Sequence, residues 1–352
     1  MLRFPSRRIL GRASRLLAIA LMTLGAFWSD IDRASAADEP VYPTFGSIER
    51  LDPDLDRLIP PNAVLEKLAE GYDWSEGPAW DKKNGYLLFS DVPMNTVFKF
   101  KPGSPVSVFL KPSGYTGTTP RNGEPGSNGL VFDPQGRLVL CQHGDRRVAR
   151  LEADGTFKTL ADRFEGKRFN SPNDAAYKSN GDLYFTDPPY GLLGDQHEIG
   201  KELDFNGVYR LSKDGKLSLL TKEMTFPNGI AFSPDEKTLY VANSDPKLAI
   251  WKAFPVREDG SLGPGRVFKD VTELGKKRKG LPDGMKVDSQ GNLFASGPGG
   301  ILVIDSEGNH LGTILTGEAT ANCGWGGDGS TLYITADMYL AGIKLKTKGD
   351  DF

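Results

Sequence analysis

Polar residues followed by Gly, Asp or Cys open short apolar runs at six places along the chain: Glu76-Gly77, Asn128-Gly129, Asn173-Asp174, Asn228-Gly229, Asp283-Gly284 and Asn322-Cys323. After each start comes a second apolar run headed by Leu, at 87–91, 138–143, 183–187, 239–243, 293–297 and 332–337. Between the two runs of the fourth repeat lies Ser233-Pro234-Asp235-Glu236-Lys237, and comparable turn sequences occupy 133–136, 178–181, 288–291 and 326–329. Two β-rich runs joined by a turn read as an antiparallel hairpin. Further strands at 148–151, 207–211, 217–220 and 301–304 bring the count to four per repeat. Repeats roughly 40 to 55 residues long, each of four antiparallel strands, predict an all-β, six-bladed β-propeller. A parallel β-helix uses shorter coils, and a sandwich has no reason to repeat one hairpin six times. The residues before Glu76, including those at 60–65, are expected to supply an outer strand that closes the ring against the last repeat.

The first 36 residues stand apart from this pattern. Arg3, Arg7, Arg8, Arg12 and Arg15 precede an apolar stretch at 16–28, and Ala34-Ser35-Ala36 offers a small-residue cleavage pattern. This reads as an export signal, with Ser6-Arg7-Arg8-Ile9-Leu10 favouring the twin-arginine route over the general one. The expected product is a single propeller domain over 37–352, most naturally periplasmic. Six Arg and two Asp lie in residues 1–36, so the formal charge moves from −3 for the whole chain to −7 for the remainder. An acidic surface argues against nucleic acid and, once the signal is removed, against an anionic membrane as partner. Cys141 and Cys323 fall within separate strand patterns and read as two buried apolar residues rather than a disulfide.

In a propeller the first strand of each blade lines the central channel, so equivalent positions at its start point toward one axis. Those positions are Glu76, Asn128, Asn173, Asn228, Asp283 and Asn322, an oxygen-rich ring with two acids. The second strand returns to the same face, which adds Asp91, His143, Asp187, Asn243 and Asp337 as candidates near the mouth. Carboxylate and amide oxygens without thiolate suit a hard divalent cation, Ca²⁺ first, with Mg²⁺, Mn²⁺ or Zn²⁺ as substitutes. The competing reading is turn chemistry around a water-lined channel. Two carboxylates aimed at one axis weigh against it, because they repel without a compensating cation.

Five ordered motifs resemble the senescence marker protein/gluconolactonase family of six-bladed propellers: residues 75–80, 170–174, 187–191, 227–235 and 282–285. The resemblance spans the chain beyond the signal. It implies a divalent cation, often Ca²⁺, held by Glu76, Asn173, Asn228 and Asp283. It also implies a hydrolase of sugar lactones, with diisopropyl fluorophosphatase as a more distant relative. On this reading the cation polarises the lactone carbonyl and lowers the pKa of a bound water. Asp283 takes the water's proton, direct nucleophilic attack being the alternative. Glu76 and Asn228 are ligands, and Asn173 is a ligand or a substrate contact.

His143 is placed to bond substrate or a ligand carboxylate, or else to be satisfied by backbone. Arg168 and Tyr190 can meet sugar hydroxyls or a product carboxylate, although Arg168 can equally pin the loop it precedes. Asn128 and Asn322 are expected to hold channel water. A small-molecule sugar lactone such as D-glucono-1,5-lactone is the expected substrate. The competing functions are another hydrolase or a lyase acting on a different lactone, a modified sugar or an organophosphate, and a non-enzymatic binding propeller. Substrate choice would reside in loops 114–127 and 191–206.

Overall fold

The second strands are continuously apolar because both of their faces are covered. Leu87 and Phe89 pack toward Tyr333 and Leu340, whereas Leu88, between them, packs toward Leu130 and Leu140. Successive side chains on a strand point to opposite faces, so such a run must lie between two neighbouring sheets. The computed structural model, which describes residues 41–194 and 197–352, shows six small antiparallel sheets arranged as a six-bladed β-propeller. The expected export signal lies outside the described residues.

Blades 1 to 4 each follow chain order from the inner strand outward, with inner strands Ser75–Asp81, Ser127–Phe132, Ala175–Tyr177 and Pro227–Phe232. Blade 5 starts at Met285–Val287 and blade 6 at Thr320–Gly326. The ring closes as expected: Leu65–Glu70 forms the fourth strand of blade 6, with Glu70 opposite Tyr339. Two further strands were not anticipated from the sequence. Thr44–Phe45 adds a fifth strand to blade 6, with Phe45 opposite Leu65. Ser47–Arg50 adds a fifth strand to blade 5, with Ile48 opposite Ile314. Cys141 sits in the core between blades 2 and 3 and Cys323 in that between blades 5 and 6, and both are free thiols.

The polar-Gly pairs are not turns. They interrupt the inner strands, where pairing with the second strand shifts register between Glu76 and Ala79, Ser127 and Leu130, and Pro227 and Ile230. A bulge of this kind re-aims one side chain, here the polar residue, toward the axis. Glycine follows because the inner strands of adjacent blades nearly touch. A Cβ on Gly129 would lie 2.6 Å from the Asn173 carbonyl oxygen, and one on Gly229 would lie 2.2 Å from that of Asp283. The Gly129 amide uses the approach, donating to the Asn173 carbonyl at 2.7 Å.

Hydroxyls on the second strands tie the ring further. Ser90 Oγ donates to the Asn128 carbonyl at 2.9 Å, and Thr186 Oγ1 to the Asn228 carbonyl at 2.7 Å. The peptide carbonyls of Asn128, Asn173 and Asn228 are therefore occupied by neighbouring blades, leaving their side chains to the channel. Because the backbone at 229 cannot retreat, we predict that Gly229→Ala destabilises the fold by about 1–3 kcal/mol or more through overpacking. Calorimetry that found Gly229→Ala melting with the parent protein would contradict this account of the repeat.

Candidate active site

Five of the six ring positions reach one cavity of about 370 Å³: Glu76, Asn128, Asn173, Asn228 and Asp283 all line it. The sixth, Asn322, serves a neighbour, its Nδ2 donating to Glu76 Oε2 at 3.1 Å. Its own Oδ1 accepts from the Cys323 amide at 2.9 Å. Ser244 completes the placement on blade 4: its hydroxyl accepts from Asn228 Nδ2 at 2.9 Å and donates to the carbonyl of Pro282, the residue before Asp283.

The cavity holds oxygens that the protein itself does not satisfy. Oδ1 of Asn128, Asn173, Asn228 and Asp283 is in each case buried without a protein hydrogen-bond partner. Leaving a buried polar atom unpaired costs about 1–3 kcal/mol, so four such oxygens lining one cavity call for a ligand that accepts electron density. The carboxylates state the same need. Burial, followed by the charge of Asp174, pushes the Glu76 carboxyl well above its ordinary range. Asp283 is pushed up by burial first, then by Glu76, Asp174 and Glu124. A cation among these groups would reverse both shifts.

Asp174 is the charged exception in the repeat, standing where four of the other starts have Gly and one has Cys. Its carboxylate is buried, with Oδ1 accepting from the Ala175 amide at 2.8 Å and Oδ2 without a protein partner. Burial raises its pKa, and Lys286 pulls it back. Among the described residues, no cluster of three or more His, Cys, Asp and Glu side chains is placed to hold a metal. Amide oxygens supply much of this donor set, which suits Ca²⁺ better than a softer ion.

The remaining candidates divide. Tyr190 lines the cavity, with its ring stacked on Phe226 at 6.0 Å. Its phenol is raised by burial, with hydrogen bonds to Ser244 and Asn228 acting in the opposite sense. His143 is fully buried. Its Nδ1 lies 2.9 Å from Glu124 Oε2 and its Nε2 3.5 Å from Asn173 Nδ2. These partners assign the Nδ1–H tautomer, donating to the carboxylate and accepting from the amide, which turns Asn173 Oδ1 toward the cavity. Arg168 is not among the lining residues. Its guanidinium donates to the Asp145 carbonyl at 2.8 Å and its amide to Glu202, so it pins the loop it precedes.

Three of the five second-strand ends are displaced by one residue from the expected register. Asp91 accepts from the amides of Asp73 and Trp74, Asp187 from those of Asn170 and Ser171, and Asn243 from that of Phe226. These side chains hold the segment entering each blade rather than facing the axis. The following position turns toward the site, as His143 and Ser244 do. Asp337, half-buried with φ of 53°, is not among the cavity residues either. Several cavity residues carried no signal in the repeat, Trp74, Glu124 and Ser244 among them.

The SMP-30/gluconolactonase/LRE-like family profile matches residues 74–337. The chain is 40% identical to a gluconolactonase of Zymomonas mobilis over 98% of each sequence. It resembles the solved gluconolactonase of Xanthomonas campestris at 35% identity and a TM-score of 0.76, covering 88% of this chain and 99% of that one. A calcium-binding regucalcin of Agrobacterium tumefaciens shares the fold at 20% identity and a TM-score of 0.64, covering 80% of this chain and 94% of that one. The chain belongs to the SMP-30/gluconolactonase/LRE-like family.

Proposed function

We propose that the protein is a divalent-cation-dependent lactonase that opens a sugar lactone of the D-glucono-1,5-lactone type to its aldonic acid. The observation that carries this reading is the convergence of two buried carboxylates and three amide oxygens, four of these groups presenting an unpartnered oxygen, on a cavity of ligand size. Likeness to the Zymomonas and Xanthomonas gluconolactonases supplies the substrate class.

Glu76, Asn173, Asn228 and Asp283 would hold the cation. Ca²⁺ fits the oxygen donors first, a choice the calcium-binding regucalcin supports. When bound, the cation supplies Lewis-acid polarisation of the lactone carbonyl. Asp283 accepts a proton from the attacking water. The water oxygen bonds to the carbonyl carbon, the ring C–O bond breaks, and the departing ring oxygen takes up a proton to become a hydroxyl. Asn128 and Tyr190 present an amide and a phenol to the same space and serve as contacts for substrate hydroxyls.

The test is a pH-stat assay on a panel of sugar and aliphatic lactones with and without chelator. We expect turnover of a polyhydroxylated lactone that chelation removes and added Ca²⁺ restores. Full activity after exhaustive chelation would overturn the cation dependence. Failure to open any lactone would overturn the reading as a whole.

A further inference from the structure

Glu124 is the one cavity carboxylate outside the ring, and nothing in the repeat accounts for it. It lies on loop 114–127, its side chain about one-third exposed, and it lines the same space as Glu76 and Asp283. Its Oε2 is held by the buried His143 at 2.9 Å. The loop itself is fastened at several points. Asn95 Oδ1 accepts from the Gly114 amide at 2.7 Å, Gly126 donates to the Val92 carbonyl at 2.9 Å, and Arg121 bridges the carbonyls of Gly144 and Gly191. A carboxylate held this way is preorganised, so little ordering cost opposes a bond to its remaining oxygen.

The charge lining the cavity has one sign. Glu76, Glu124 and Asp283 are acidic, and no Lys or Arg is among the lining residues. Arg121, on the same loop as Glu124, turns its guanidinium onto backbone carbonyls. Three ionised carboxylates against one divalent cation leave a net negative charge. Such a cavity accepts hydroxyl donors and repels anions.

We propose that Glu124, oriented by His143, is the specificity-determining residue of the site: it accepts hydrogen bonds from the hydroxyls of a neutral polyhydroxylated lactone and excludes phosphorylated or carboxylated lactones. This rests on the lactonase reading above and goes further by naming the substrate class and the residue that selects it.

The test compares the parent enzyme with Glu124→Gln, which keeps the side-chain shape and removes the charge, on three substrates. These are D-glucono-1,5-lactone, a phosphorylated 1,5-lactone and δ-valerolactone, which has no hydroxyl. Hydrogen bonds to a charged acceptor exceed neutral ones by enough to predict changes of about tenfold. For Glu124→Gln the kcat/KM ratio of the hydroxylated lactone to δ-valerolactone is expected to fall about tenfold, carried by KM. The ratio of phosphorylated to neutral lactone should rise by a similar factor. Both ratios are independent of how much enzyme is folded. Equal losses on all three lactones, or no change, would overturn the role of Glu124 while leaving the lactonase standing. A parent enzyme inactive on every lactone would overturn the lactonase reading and this inference with it.

Discussion

Asp283→Asn is expected to lower kcat for lactone opening by about 10³-fold or more while leaving the propeller folded. Loss of a positioned general base alone is worth about 10²–10⁴ in rate, and a thousandfold loss corresponds to about 4 kcal/mol of transition-state stabilisation. Asn keeps the volume of the Asp side chain and offers one amide oxygen in place of the carboxylate, so the cavity retains its shape and a weaker ligand. The stability effect should run the other way. In the cation-free protein Asp283 is a buried acid crowded by Glu76, Asp174 and Glu124. Replacing it with a neutral amide removes that repulsion, so cation-free Asp283→Asn should melt at or above the parent protein near neutral pH. Activity is then measured at saturating Ca²⁺, with cation affinity determined separately by titration calorimetry. A variant that regained parental turnover once cation was saturating would show Asp283 to be a ligand only, and the base would have to be sought elsewhere.

The fold was legible because its constraint repeats. Each blade must present a polar side chain to the axis and pass its backbone close to the next, so a polar residue followed by a small one recurs at blade spacing. The reason for the glycine was not legible, since a close approach such as that of Gly229 to the Asp283 carbonyl involves residues distant in sequence. The same limit explains the second-strand ends. Side chains alternate along a strand, and an error of one residue exchanges the channel face for the face that caps the incoming segment. Asp91, Asp187 and Asn243 fell on the wrong side of that alternation, and the repeat offered no internal reference for the register. Glu124 and Trp74 lie outside the repeat altogether. Their approach to the cavity depends on how loop 114–127 and the lead into blade 1 fold over it, which neither periodicity nor spacing encodes. Asn128 was visible as a ring member, yet its exposure of an unpartnered oxygen to the same cavity as the acids required coordinates.

Cation and pH should act on stability together, with a sign set by the buried acids. In the cation-free protein the carboxyls of Glu76 and Asp283 sit above their ordinary values, burial being the first cause in each case. A raised carboxyl pKa means that the folded state binds the proton more tightly than the unfolded chain does. Stability of the cation-free protein therefore falls as pH rises from the unfolded carboxylate range, about 4, through the raised folded values. Cation binding inverts this dependence, because the ion needs both groups ionised and releases their protons on binding. The stabilisation added by Ca²⁺ should accordingly be small near pH 5 and large near pH 8, following the mass-action relation of about 2.7 kcal/mol at a hundredfold excess over Kd. Differential scanning calorimetry at both pH values, with chelator and with millimolar Ca²⁺, reads the effect directly. The expected pattern is a chelated protein that melts higher at pH 5 than at pH 8, and a Ca²⁺-loaded protein in which that order is weakened or reversed. An increment from Ca²⁺ that is equal at the two pH values would mean that the cation does not bind at Glu76 and Asp283. The four unpartnered oxygens would then belong to a water-filled channel, the competing interpretation of the same ring.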